Sequence, residues 1–295
     1  MGDPFLDRAE PREPEQLEHD YIAVCIPAYK SYRYLGEFFH SLYAQDYPKD
    51  RIHLLFVVTG KDPTIDMVNS YVASFGSEYA SARVKELKQF RGGDRPQIRN
   101  LTLIKNVMVE MNRGLDCIFL NSDMILPTNA FTSMRNDTSL GASIVGGINP
   151  NLFIDKFEGK NRTRIALPMF IVKDNKGTVF VLHGDEHRGW VGNGILGKRI
   201  WVDSVSCAIV YVKAEVLNKI KFKIPSNRDM SEDVLFCIEA RWNGFKVLSD
   251  LNVYCYHWGH ELIRVGQDEE RTYFEMSVLP EMISDKKSLK REKSY

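Results

Sequence analysis

The sequence predicts an α/β fold, a mostly parallel sheet flanked by helices and organised as a single domain with two lobes. Two observations carry the prediction. Apolar runs of strand length alternate with segments whose apolar residues recur at helical spacing. The segments between the runs are long enough for crossover helices, so successive strands are expected to lie parallel as βαβ units. In such sheets ligands bind beyond the carboxyl ends of the strands, which directs attention to the residues just after each apolar run.

Taken in order, YIAVCIPAY (21–29) reads as a buried strand stopped by Pro27. After Ser31, Tyr34, Leu35, Phe38, Phe39 and Leu42 form a helical stripe. IHLLFVV (52–58) is a second strand, followed by Ile65, Val68, Val72 and Phe75 at helical spacing. Ile98, Leu101, Ile104, Met108 and Met111 mark a third helix ending near Gly114. LDCIFL (115–120) is a strand that runs directly into Asn121-Ser122-Asp123. The second half is less regular. Residues 144–182 mix short strand-like runs with loops, and 183–201 hold five glycines together with His183, His187 and Trp190. SVSCAIVYV (204–212) reads as a strand and AEVLNKI (214–220) as a short helix. Ser231 opens a helix with Leu235, Ile238 and Trp242 on one face, closed by Asn243-Gly244. KVLSD (246–250) and LNVYCYHWG (251–259) complete the sheet.

Composition narrows the function. Lys and Arg balance Asp and Glu at 39 each, which argues against an extended nucleic-acid-binding surface. The five cysteines contain no CxxC pair and sit among apolar neighbours, as reduced core thiols do. A cytoplasmic location is therefore expected, and the sequons at Asn100, Asn136 and Asn161 are expected to be chance matches. No apolar run approaches the ~20 residues of a membrane span. Residues 1–20 read as a flexible leader. The basic end, with Lys286, Lys287, Lys290, Arg291 and Lys293, is either a solvated terminus or a peripheral foothold on anionic lipid.

Four features fall where a sheet would bring them together: Asp123 at a strand end, Glu232-Asp233 at a helix start, His257 in the last strand run, and Arg95 and Arg99 beside Gly92-Gly93. A carboxylate and an imidazole suit a divalent metal, and arginines suit phosphate oxygens. Each also has an ordinary role. Asp123 could cap a turn, Asp233 could complement a helix dipole, His257 could be a core histidine, and the arginines could be salt-bridged.

The order of these pieces resembles that of a GT-A glycosyltransferase of the family 2 type over residues 21–260. VCIPAYKS is similar to the family's first-strand signature, RPQIRN to its Ala-Arg-Asn segment, and IFLNSDMILP to the place of its Asp-x-Asp motif. AIVYVKAEVLNKIKF resembles the acceptor-side strand and helix, and SEDVLFCIEARWNGFKVLSDLNVYCYHWG carries the Glu-Asp pair, Asn-Gly turn and terminal His. The resemblance implies a Rossmann-like GT-A domain with a nucleotide-binding half (21–127), an acceptor-binding half (128–260) and a C-terminal extension (261–295). It implies that Asp123, with His257, binds Mn²⁺ or Mg²⁺. By the same resemblance, Asp233 is the general base, Glu232 supports it, Pro27, Ala28 and Tyr29 line the nucleotide pocket, and Arg99 lies near the diphosphate. The implied partners are a UDP- or GDP-sugar donor and a glycan, protein or lipid-linked acceptor.

Two departures stand out. Asn121 replaces the first aspartate of the metal motif and supplies no charge. Thr59 stands where the family has an acid that pairs with the nucleobase, with Asp62 three residues later, so the nucleobase stays open. The glycine-rich segment reads either as a lid carrying His187 and Trp190 to the acceptor or as a turn-rich connection. The expected activity is metal-dependent transfer with inversion. The alternatives are a retaining transferase and a non-catalytic relative that binds sugar nucleotides.

Overall fold

The computed structural model describes residues 14–15, 20–89, 94–149, 151–157, 160–173, 178–183, 198–227, 230–258, 262–267 and 272–277, those between 151 and 183 and beyond 261 as backbone. Most of the leader, the part of the glycine-rich segment that holds His187 and Trp190, and the basic tail lie outside the described residues.

The first half alternates as expected. β1 (Ile22–Tyr29), α1 (Leu35–Tyr43), β2 (Ile52–Thr59), α2 (Thr64–Phe75), β3 (Ser81–Leu87), α3 (Pro96–Met111) and β4 (Asp116–Leu120) follow one another, then β5 (Met124–Ile125) and α4 (Ala130–Asp137). β6 (Ile144–Ile148) returns to the sheet. β7 (Asn151–Phe157), β8 (Lys160–Lys173) and β9 (Thr178–His183) leave it. β10 (Arg199–Val202), β11 (Ser204–Val205), β12 (Ile209–Val212), α5 (Ala214–Lys219), α6 (Glu232–Trp242), β13 (Val247–Tyr254) and β14 (Tyr256–Trp258) follow, then β15 (Leu262–Gln267) and β16 (Thr272–Ser277).

The central sheet has eight strands in the order β10-β13-β6-β12-β4-β1-β2-β3. Its β4-β1-β2-β3 half is wholly parallel. In the other half β12 runs antiparallel to both β4 and β6, β13 runs parallel to β6, and β10 is antiparallel at the edge. Parallel pairs remain the majority.

Both faces of the sheet are covered, which explains the unbroken apolar runs. Side chains alternate between two cores. Ala23, Cys25, Leu55, Val57, Cys117 and Phe119 enter one, closed by α3, α5 and α6. Ile22, Val24, Ile26, Leu54, Phe56, Ile118 and Leu120 enter the other, closed by α1, α2 and α4. The five cysteines are buried and unbridged, with Cys25 Sγ and Cys117 Sγ 3.0 Å apart. Among the described residues no helix is long and apolar enough to cross a membrane.

Several expectations are corrected. Pro27 does not stop β1, which continues to Tyr29. Pairing with β4 ends at Cys25, so beyond it β1 has a partner only on the β2 side and the missing N–H costs no bond towards β4. SVSCAIVYV is not one strand: it breaks at Ser206–Ala208 between β11 and β12. Residues 151–183 are not mixed short runs but a meander of β7, β8 and β9, which joins β11 in a second sheet. On α6 the buried face is Val234, Phe236, Cys237 and Ala240, while Trp242 is turned outward. The turn to β11 depends on Gly146, where an added Cβ would sit 2.5 Å from that of Val205. Only glycine lets β11 cross β6 this closely, and that crossing delivers the Ser206–Ala208 turn to the site.

Candidate active site at the ends of the central strands

The first cluster forms around Asp123. It lies in the turn between β4 and β5, and β14 pairs antiparallel with β5, so that His257 falls opposite Met124. The Trp258 N–H donates to the Asp123 carbonyl at 2.7 Å, which closes this pairing. His257 Nε2 is then 3.3 Å from Asp123 Oδ2. Asp123 Oδ1 is buried without a hydrogen-bond partner among the described residues. A buried carboxylate oxygen requires a donor or a cation. Asp123 and His257 therefore fit a divalent metal with one oxygen and one nitrogen ligand. Among the described residues no cluster of three or more His, Cys, Asp or Glu side chains is placed to share an ion, so water or substrate oxygens would complete the coordination.

The turn is braced from below by Ser122 and Asp62, both site candidates from the sequence, together with Ser31 and Thr64, which the sequence did not single out as part of a site. Ser122 Oγ and Ser31 Oγ are hydrogen-bonded at 2.7 Å in the protein interior. The Ser31 N–H donates to Thr64 Oγ1 at 3.0 Å, and the Thr64 hydroxyl donates to Asp62 Oδ1. This chain ties together the loops after β1, β2 and β4. It also accounts for Asp62, whose Oδ1 accepts the Thr64 N–H at 3.0 Å near the start of α2. Thr59 is buried at the end of β2, and Ala28 has its methyl in the core. Tyr29 is exposed and packs over Gly60, whose φ of +106° and closeness to that ring exclude a side chain. Pro27 is half-buried between them.

The second cluster forms at the start of α6. Asp233 accepts three donors: the Ser231 hydroxyl and the Val234 N–H on Oδ1, the latter at 2.9 Å, and the Cys207 N–H on Oδ2 at 3.3 Å. A carboxylate offers about four lone-pair directions. The one that remains is on Oδ2, where a proton can be received. Glu232, 3% exposed, points inward to Lys105 of α3, with Nζ and Oε1 at 2.8 Å. Burial alone would drive the proton off Lys105. The surrounding Cys207, Glu232 and Asp233 reverse that and hold the ammonium above its ordinary range. Lys105 had a sequence signal: it falls on the buried stripe of α3 beside Ile104 and Met108, where a lysine needs an acid.

The two clusters meet at the Ser206–Ala208 turn. The Cys207 N–H faces Asp233, and the next carbonyl, that of Ala208, accepts the Asn121 N–H at 2.8 Å. The arginines separate in role. Arg99 is solvent-facing on the first turn of α3. Arg95 does not stand ready for phosphate. Its guanidinium donates to the carbonyls of Pro225, Asn227 and Met230 at 3.1, 3.1 and 2.5 Å. It clamps the segment that leads into Ser231 and α6.

No protein-family model matches the chain, and comparison with curated proteins finds no match. Solved structures do resemble it. A mannosyltransferase from Pyrobaculum calidifontis, solved with GDP-Man and Mn²⁺, has a TM-score of 0.54 at 17% identity, covering 85% of this chain and 60% of that one. GalNAc-T7, solved with UDP, GalNAc and Mn²⁺, has a TM-score of 0.54 at 11% identity, covering 85% and 48%. The fold is thus that of the GT-A glycosyltransferases, the class expected from the sequence. The chain spans less than two thirds of the length of either neighbour.

Proposed function

We propose that this chain is a nucleotide-sugar-dependent glycosyltransferase that inverts the anomeric centre. The observation that carries the reading is the convergence of the Asn121–Asp123 loop and Asp233 on one turn, Ser206–Ala208. The 21–127 half would hold the donor and the 128–260 half the acceptor. Tyr29 offers an exposed ring to the nucleobase, and Arg99 a cation to the diphosphate.

Asp233 Oδ2 would take the proton of the acceptor hydroxyl as its oxygen bonds to the anomeric carbon. The bond from that carbon to the diphosphate oxygen breaks, and its electron pair leaves with the nucleoside diphosphate. The charge that builds on that leaving group is what Arg99 would neutralise. A divalent cation held by Asp123 and His257 would supply further charge neutralisation there. Lys105 and Glu232 hold the start of α6 so that Asp233 keeps its angle.

A second reading, a sugar-nucleotide-binding protein without turnover, is favoured by the uncharged Asn121 and by the buried Thr59. A thermal-shift panel of UDP-, GDP- and CDP-sugars with and without Mn²⁺, followed by assay of nucleotide release, tests both. We expect metal-dependent stabilisation by one donor and release of its nucleoside diphosphate. Asp233→Asn should reduce release by ~10²–10⁴-fold while leaving donor stabilisation in place. Stabilisation without release would support the binding reading. Full activity in Asp233→Asn would remove Asp233 as the base.

A further inference from the structure

The C-terminal end of α6 carries a surface that the transfer reaction does not use. Trp242 is 79% exposed, the highest value for any large apolar side chain among the described residues. Beside it the chain reads Lys219-Ile220-Lys221-Phe222-Lys223-Ile224. Ile220 and Phe222 are buried, and the alternation turns all three lysines outward, followed by Ile224, which is 47% exposed. A groove of about 460 Å³ lies between this segment and Trp242. Arg241 and Lys246 are exposed as well, the Lys246 ammonium lying 5.7 Å from the centre of the Trp201 ring. Lys219 Nζ lies 5.6 Å from the centre of the Phe245 ring, which joins the two segments into one surface.

Two acids in this neighbourhood are engaged by these same cations. Glu239 accepts from Lys223 at 2.9 Å, and Asp203, 1% exposed, is paired with Arg241. A chain with balanced charge overall therefore gathers five cations against these two acids around one protruding indole. Lysine is depleted at the centre of protein–protein interfaces, and one indole with one isoleucine is a small apolar area for a protein partner. An indole and lysines at one level instead match the interface of an anionic bilayer, where the ring sits among headgroups and the ammoniums meet phosphates.

We propose that this surface is a membrane foothold: Trp242 and Ile224 enter the headgroup region of an anionic bilayer while Lys219, Lys221, Lys223 and Lys246 meet lipid phosphates. α6 rises about 1.5 Å per residue, so along the helix Asp233 stays roughly 13 Å from Trp242, which leaves the site uncovered. The foothold is separate from the basic tail and does not depend on the glycosyltransferase reading.

The test uses the full chain with vesicles of phosphatidylcholine alone and of three parts phosphatidylcholine to one part phosphatidylglycerol. The fluorescence of Trp242, obtained by difference from Trp242→Phe, should shift to the blue and be quenched by a headgroup-proximal spin-labelled lipid in the anionic vesicles only. Replacing Lys219, Lys221 and Lys223 together by Gln should weaken sedimentation with those vesicles on the order of 100-fold. These side chains are exposed, so the variants should fold, and the quenching experiment needs no lysine variant. Vesicle binding with Trp242 neither shifted nor quenched would assign the contact to the tail and overturn the proposal. So would absence of vesicle binding, or binding to heparin or polyglutamate without vesicle binding.

Discussion

Two buried charge clusters lie on opposite sides of this sheet, and they are built differently. Under the candidate base, one ammonium, Lys105, meets one carboxylate, Glu232, with side chains 6% and 4% exposed. At the β10–β13 edge, one guanidinium, Arg199, bonds Asp137 at 2.6 Å, while a second buried acid, Asp250, lies beside them. Asp250 is held by the Ser133 hydroxyl at 2.7 Å and by the Asn252 N–H at 2.9 Å. In the first the buried acid is matched by Lys105, the neighbouring Asp233 has three donors of its own, and the ammonium stays charged. The second has one acid too many, so burial and the neighbouring Asp250 push Asp137 up to about 8, with Arg199 offsetting only part of the shift. Balanced burial gives a fixed charge, whereas an unmatched acid gives a group that titrates.

The largest loss from a substitution should come from breaking the balanced pair. Lys105→Met leaves Glu232 buried without its counter-ion, and removing one partner of a buried pair costs about 3–5 kcal/mol. Urea unfolding at pH 7 should show that loss. Glu232→Gln in the Lys105→Met background should recover much of it, because no uncompensated charge remains. If the single variant unfolds like the parent, the pair is not the balanced unit described here.

How legible was this in the sequence? The parallel half was, because β1, β2 and β4 are buried on both faces and read as apolar runs ending where the polar loops begin. The carboxyl-end rule then led to Asn121-Ser122-Asp123, and the structure brings Asp123 and His257 together there. The Ser206–Ala208 turn stayed hidden, since Cys207 and Ala208 are themselves buried and extend the apolar run of β12. Glycine at 146 was its trace, but a close crossing of strands from different sheets has no local period. The face of α6 was misread because apolar residues lie on more than one side of it. Leu235, Ile238 and Trp242 are as regular a stripe as Val234, Cys237 and Arg241, and the core chose the second set up to its last turn. Arg95 was read by charge alone, and its carbonyl partners 130 to 135 residues away could not be seen from its neighbours.

The unmatched cluster should reveal itself through pH. Asp137 has its folded pKa raised from an ordinary value of 3.8 to about 8, so between those limits the folded state holds a proton that the unfolded chain has lost. Stability from this group is therefore full below the unfolded value and falls as pH rises towards 8, by on the order of 5 kcal/mol. Asp137→Asn mimics the protonated form and should flatten that slope, with its largest gain over the parent at pH 8. Urea midpoints measured from pH 5 to pH 8 would show it. An unchanged slope in Asp137→Asn would place the proton elsewhere.

The smallest effect is expected where the pair reaches solvent. Lys223 and Glu239 lie 2.9 Å apart, close to the 2.8 Å of Lys105 and Glu232, but the Lys223 side chain is 58% exposed. Water screens the attraction and the lysine loses rotamer freedom to hold it, so Lys223→Ala should change stability by about 0–1 kcal/mol. Raising salt should shrink even that difference, whereas the Lys105→Met loss should persist, because the buried pair is shielded from ions. Urea titrations of both variants at low and high salt compare the two directly. Equal salt sensitivity in the two variants would mean that burial, and not distance, has been wrongly credited with separating them.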